Sequence, residues 1–122
     1  MLPTRTVFRK PTLFYAICPD YPNVLGERLK VRGEHWRRAE EDKKAGILEF
    51  GRGTVAPPDS PLHQQELPTG IQAMNGSIMF FRFQSLEDTW KRIKEDVYYT
   101  GGIWDKEKLQ IGEFIRLPSD DE

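Results

Sequence analysis

The chain has 122 residues, 38% hydrophobic and 30% charged, enough to bury one modest core and too few to divide comfortably into two domains. Its formal net charge of −1 gives no bulk attraction to a phosphate backbone, and no apolar run approaches the roughly 20 residues a membrane-spanning helix needs, so neither nucleic acid nor membrane is an expected partner. A lone cysteine, Cys18, excludes an intramolecular disulfide and a multi-thiolate metal site, and a cytoplasmic setting is the expectation.

Residues 1–11 carry Arg5, Arg9 and Lys10 without an apolar stretch of secretory-signal length, and read as an N-terminal arm. Residues 12–18, TLFYAIC, lie between Pro11 and Pro19 and form the first expected strand. Leu13, Tyr15 and Ile17 fall on one face and Phe14, Ala16 and Cys18 on the other, so neither face is built for water. After the turn-forming PDYPN, good helix formers over 24–44 place Leu25, Leu29, Arg32, Trp36 and Ala39 at helical spacing. Gly46 is the stop signal, and ILEF after it opens a second strand over 47–55.

Residues 55–76 hold four prolines and no sustained period; at 22 residues they far exceed a hairpin loop and read either as a lid or partner-contact loop or as a surface insertion. The third strand, 77–83 (SIMFFRF), is apolar on both faces except at Arg82. Ser85 is a good helix N-cap with Asp88 three residues on, and Leu86, Trp90, Ile93 and Val97 predict the buried stripe of a second helix. Lys91, Arg92 and Lys94 sit toward the negative end of its dipole. Gly101 and Gly102 mark 96–104 as a tight, partly helical connection to a fourth strand over 109–117, which Pro118 ends. Residues 118–122 then read as an acidic tail too polar to pack, leaving 12–117 as the domain.

The order β, α, β, β, α, β is that of the ferredoxin-like α+β fold: a four-stranded antiparallel sheet with two helices on one face. Because the first and third strands are apolar on both sides, the uncovered sheet face is expected to pair with a second copy as a homodimer. An RNA-binding module shares this element order, but the leading basic residue and the glycine-aromatic alternation of its third strand are missing from GSIMFFRF.

Arg28, Arg32 and His35 are offset by four and three residues, along nearly one face of the first helix. Arg32 falls inside the apolar stripe, where a guanidinium must meet a carboxylate or an anion, or open into a polar cavity. Arg82 interrupts an apolar strand and joins Arg28 and Arg32 as a candidate substrate contact. His35 alone reads first as a partly exposed or hydrogen-bonded side chain and only second as a working one, and Asp96, just beyond the second helix, is a carboxylate within possible reach of His35 or Arg32. Cys18 reads as a small buried hydrophobe, His63 as a solvated loop residue unless the loop closes over a pocket, and Trp36, Trp90 and Trp104 as core or pocket wall. No metal-ligand spacing occurs, and Gly51-x-Gly53 is too short to argue a phosphate cradle.

The segment AICPDYPN, the Arg32-x-x-His35 pair, the small-residue turn at residues 51–53, and SLED followed by EDVYYTGGIW together resemble the YCII-related family over roughly residues 12–117. The resemblance implies a dimeric α+β barrel of ferredoxin-like protomers, with His35 and Asp96 matching the family's histidine and aspartate. Val97 follows Asp96 where the family pattern has proline, and Gly51-Arg52-Gly53 replaces a glycine-proline step. A histidine-aspartate pair transfers protons, with an arginine holding a carboxylate or enolate oxygen. This chemistry suits a cofactor-free lyase or isomerase performing dehydration, decarboxylation, elimination or isomerisation on a small oxygen-rich or aromatic molecule. A non-catalytic dimer that only holds such a ligand is the alternative.

Overall fold

A computed structural model describes residues 10–121. The expected arm over 1–11 therefore lies almost wholly outside the described residues.

Strand β1 (Thr12–Pro19) is the second-to-edge strand of a four-stranded sheet ordered β2-β3-β1-β4, with β2 at Leu48–Val55, β3 at Met74–Phe83 and β4 at Gln110–Glu113. Every pairing is antiparallel; β1 runs against β3 from Thr12↔Phe83 to Pro19↔Gly76, and against β4 from Phe14↔Glu113 to Ile17↔Gln110. Helix α1 (Leu25–Lys44) links β1 to β2; α2 (Leu86–Glu95) and the single turn α3 (Val97–Thr100) link β3 to β4. This is the ferredoxin-like α+β architecture expected from the element order. The first three strands and both main helices fall close to their expected bounds. β4 is shorter than expected because the chain leaves the ladder after Phe114 N–H bonds Leu13 O at 2.9 Å.

The alternation of β1 sorts the sheet's two faces. Phe14, Ala16 and Cys18 turn toward the helices and join Met79, Phe81, Ile93, Tyr98, Ile103 and Trp104 in the core. The opposite face carries Tyr15, Phe80, Phe114 and Phe50, whose ring centroids are 5.0–5.3 Å apart along a continuous aromatic row. Phe50 is 38% exposed.

The helices are rotated from the expected apolar stripes by about one residue. In α1 the buried positions are Leu25, Arg28, His35 and Asp42, while Trp36 is 59% exposed and Leu29 only half-buried. In α2 they are Thr89, Arg92 and Ile93, while Leu86 is 42% exposed and Trp90 half-buried. The cause is the ion network described below: charged side chains of the two helices face one another and exclude the apolar residues from the central line.

Ser85 caps α2, its hydroxyl accepting from the Asp88 N–H at 3.0 Å. Asp96 interrupts the helical run with extended backbone and caps α3 by accepting from the Tyr98 N–H at 2.9 Å. The tight connection closes through Gly101 and Gly102, the latter at φ 72°, a conformation glycine adopts without strain, and Trp104 N–H returns to Tyr98 O at 2.9 Å.

Residues 56–73 between β2 and β3 contain a 3-10 turn, Pro61–Gln64, capped by Ser60. There His63 donates through Nε2 to Ala56 O at 3.0 Å. At the C-terminus the stretch expected to be an acidic tail too polar to pack instead folds as a 3-10 turn over Pro118–Asp121. Its carboxylates have cationic partners: Asp120 bonds Arg82 at 3.1 Å and Asp121 bonds Arg116 at 2.8 Å.

Replacing the α2 cap, Ser85→Ala, is expected to lower unfolding free energy by about 1 kcal/mol in urea titration, with the slope unchanged.

Candidate active site

α1 lies across the helix-side face of the sheet and carries Arg28, Arg32 and His35 on successive turns toward β2 and β3. Between these elements is a cleft of about 310 Å³ whose lining includes Arg28, Arg32, His35, Trp36, Ser77 and Tyr98. That volume is at the lower end of what small-molecule sites offer. Its floor is open because β2 presents Gly51 and Gly53 there. A β-carbon at Gly53 comes within 3.1 Å of Met74 Sδ and 3.5 Å of an Arg28 guanidinium nitrogen, so any side chain at that position crowds the cleft. The Gly-x-Gly step thus makes room for a ligand beside Arg28.

His35 and Asp96, 61 positions apart, are brought into contact. His35 Nδ1 lies 2.8 Å from Asp96 Oδ1 and 2.9 Å from Oδ2, and the Asp96 side chain is fully shielded from solvent. Burial alone raises the Asp96 carboxyl, but the hydrogen bond and charge of His35, the charge of Arg92 and the Tyr98 N–H together outweigh it and hold Asp96 below its ordinary value of 3.8. Asp96 is therefore a carboxylate at neutral pH, and Nδ1 is the nitrogen that donates to it. Nε2 makes no hydrogen bond among the described residues, which leaves its lone pair for the cleft that His35 lines. The ring is held flat against Tyr98, with centroids 4.1 Å apart at 17°, and meets Trp104 edge-on at 6.1 Å.

Of the two arginines expected on this face, Arg28 is the buried one. Its Nη1 bonds both Asp20 oxygens at 2.7 and 2.9 Å, its Nη2 donates to Ser77 Oγ at 2.7 Å, and its guanidinium lies 4.3 Å over the Tyr98 ring. Burial pushes the Asp20 carboxyl up to about 6, although Arg28's charge and hydrogen bonds pull it down; at neutral pH the pair is ionised. Arg28 is thus a fixed, largely neutralised wall. Arg32 takes the second of its two expected fates, opening into the cleft. It stacks 4.7 Å over Trp36 and has no carboxylate partner among the described residues.

Arg82 is not brought to this cleft. It reaches Glu49 at 2.9 Å, Asp120 at 3.1 Å and the Pro11 carbonyl at 3.2 Å, locking the chain's C-terminal turn to β3, so the expected substrate contact is a structural clamp. Residues 56–73 contribute no lining, His63 included. Cys18 is buried in the core, where burial and the charges of Asp96 and Asp20 drive its thiol far up, consistent with a hydrophobe's role. Among the described residues no group of three or more His, Cys, Asp or Glu side chains is placed to hold a metal ion, and no helix is long and apolar enough to cross a membrane.

Sequence reasoning missed Asp20, Ser77, Tyr98, Asp42 and Arg92. The first two meet Arg28 only because β1 and β3 align Cys18 with Ser77, which nothing local announces. Arg92 had a signal: it stands four residues before Asp96, the spacing of a helical ion pair, and bonds it at 3.0 Å. Its other partner, Asp42, lies 2.6 Å from Nε.

No protein-family model matches the chain. Fusaric acid biosynthesis protein 2 of Gibberella fujikuroi is 33% identical over 102 residues, which cover 83% of this chain and 90% of that protein. Its counterpart in Gibberella moniliformis is 32% identical over the same shares. A segment of aspartate kinase FUB3 of Fusarium oxysporum is 34% identical over 102 residues, but the chain spans only 17% of that protein. Among solved structures, the 5-chloro-2-hydroxyhydroquinone dehydrochlorinase TftG of Burkholderia phenoliruptrix, in complex with 2,5-dihydroxybenzoquinone, aligns with a TM-score of 0.68 over 89% of this chain and 99% of that one, at 18% identity. That likeness is one of fold.

Because Asp96 is held below 3.8, the stability its ionised form contributes is complete above about pH 4 and is lost as pH falls through the folded value. Asp96→Asn is expected to destabilise the protein by on the order of 3 kcal/mol near neutrality. The difference from the unsubstituted protein should shrink below pH 4 in acid-titrated thermal melts.

Proposed function

This chain belongs to the family of fusaric acid biosynthesis protein 2, and we propose that it is a small enzyme of YCII-related type in which His35 Nε2 acts as general base on an anionic, planar or oxygen-rich small molecule. The observation that carries the reading is the His35–Asp96 pair at 2.8 Å opening on a cleft that also holds Arg32, which has no carboxylate partner among the described residues. A neutral imidazole whose Nδ1 is tied to a carboxylate presents its other nitrogen as a base, and the carboxylate stabilises the imidazolium that forms.

In this reading the substrate's carboxylate or enolate oxygen sits against Arg32, where charge-assisted hydrogen bonds hold it. Tyr98 and Trp36 supply flat walls for a ring. His35 Nε2 takes a proton from a carbon acid or hydroxyl, and the electron pair left behind moves onto the oxygen facing Arg32. Return of that pair expels a leaving group in an elimination, or is met by a proton at another carbon in an isomerisation. The imidazolium supplies that proton or gives it to the leaving group. TftG, which shares the fold, is named a dehydrochlorinase and is seen with 2,5-dihydroxybenzoquinone, chemistry of this lyase kind on a molecule of this size.

A homodimer through the open sheet face accompanies the proposal. The aromatic row Tyr15, Phe114, Phe80 and Phe50 supports it, since a continuous patch of that kind on a soluble domain marks an interaction surface.

Binding is expected first with 2,5-dihydroxybenzoquinone and fusaric acid as probes, followed by thermal shift, with Arg32→Ala weakening the affinity for whichever binds by about tenfold or more. On an identified substrate, His35→Asn is expected to cut turnover by roughly 10² to 10⁴ while leaving binding in place; a folded His35→Asn protein with full turnover overturns the assignment. Light scattering is expected to give twice the protomer mass, and Phe80→Glu the protomer mass; a wild-type monomer removes the dimer and leaves the aromatic face free for another partner, such as RNA.

A further inference from the structure

We propose that Arg92 is a positioning residue for His35: it is the counter-ion that keeps Asp96 a carboxylate, and so fixes the imidazole proton on Nδ1 and the lone pair on Nε2.

Arg92 never reaches the cleft. Its side chain is 2% exposed, between two buried carboxylates, with Nε 2.6 Å from Asp42 Oδ2 and Nη1 3.0 Å from Asp96 Oδ2. The network runs outward from there, since Arg38 bonds Asp42 at 3.3 Å and Glu95 at 3.1 Å at the protein surface. One line of alternating charge therefore passes from half-exposed Arg38 through Asp42, Arg92 and Asp96 to His35.

A buried carboxylate is stable as an anion only when a cation or several donors face it. Asp96 has a His35 nitrogen, the Tyr98 N–H and Arg92, and of these only Arg92 brings a permanent charge. The other cations nearby are committed elsewhere, Arg28 to Asp20 and Arg38 to Asp42 and Glu95, Arg32 faces the cleft, and Cys18 is a neutral buried thiol. Without Arg92, protonation of Asp96 competes with ionisation. A protonated Asp96 donates to Nδ1, the imidazole proton then resides on Nε2, and the lone pair points at Asp96 instead of at the cleft.

The proposal deepens the reading of His35 as a base, but its test needs no substrate. In ¹⁵N NMR of the unliganded protein, neutral His35 is expected to carry its proton on Nδ1 in the wild type and in Arg92→Lys. In Arg92→Gln, which keeps an N–H donor without the charge, and in Arg92→Met, Nε2 is expected to become the protonated nitrogen. For that switch the Asp96 carboxyl must rise by several units, as a buried carboxyl without a counter-ion does, so its carboxyl carbon in those variants is expected to titrate near neutrality or above, not below 3.8. A folded Arg92→Gln protein with the wild-type tautomer overturns the proposal. Should the neutral variants fail to fold, Asp42→Asn decides it. Relieved of one carboxylate, Arg92 is expected to hold Asp96 ionised to still lower pH, and an upward movement overturns the assignment. If His35→Asn keeps its turnover, the catalytic reading falls while the role of Arg92 in fixing the tautomer stands; if the tautomer survives loss of Arg92, the reverse holds.

Discussion

The arrangement of the helices depends on the line of buried charges that joins α1 to α2. Arg92 lies within hydrogen-bond reach of both Asp42 and Asp96 in a space shielded from water, and a charge in such a place is tolerated only with a partner at close range. Each side chain therefore fixes the rotation of its helix about its own axis. Arg28, His35 and Asp42 recur at seven-residue spacing, two turns apart, and bring one straight edge of α1 against α2, α3 and the sheet. Trp36 and Leu86 are left facing outward in consequence, and an exposed Trp36 is what gives Arg32 a ring to stack on at the mouth of the cleft.

The same constraint assembles the site. Asp96 serves three neighbours at once: it caps α3 through the Tyr98 N–H, pairs with Arg92, and holds His35. Capping α3 places the Tyr98 ring under His35 and beneath Arg28, so the imidazole plane, the base nitrogen and the wall that a ligand ring meets all follow from one carboxylate. Glycines at positions 51 and 53 open the cleft from the opposite side, beside the β2 side chains of Leu48 and Arg52 that also line it. The result is a cavity that holds a fixed cation, Arg28, balanced by Asp20, the guanidinium groups of Arg32 and Arg52, which have no carboxylate partner among the described residues, and a nitrogen lone pair, a combination suited to moving a proton on an anionic molecule.

Much of this was legible in the amino-acid order. Alternation in TLFYAIC and SIMFFRF marked two strands with two apolar faces, Ser85 marked a helix start, and Gly101-Gly102 marked the tight return to the last strand. His35 and Asp96 were visible through resemblance of dispersed positions. Arg32 was read as a guanidinium among apolar residues and does open into the cleft, though as a half-exposed group at its mouth. Arg82 was misread because an arginine in an apolar strand signals a partner without saying which: Glu49 and Asp120 answer it, far from the cleft. The acidic residues 118–121 were misread for the complementary reason, since their partners Arg82 and Arg116 are distant or unremarked in sequence.

Local sequence thus determined the elements, their order and the two-sided character of the sheet, because strand alternation, caps and glycine turns act over a few residues. The tertiary structure alone decided which polar residues are buried. Arg28 is matched with Asp20 and Ser77 by the register of β1 on β3, and Arg92 with Asp42 by the packing of α2 on α1, across separations of 49 and 50 positions for the Ser77 and Asp42 contacts. Periodicity counts an arginine or a histidine as polar and assigns it to the surface. Only the approach of an opposite charge from another element reverses that assignment, and the site is built from side chains of this kind.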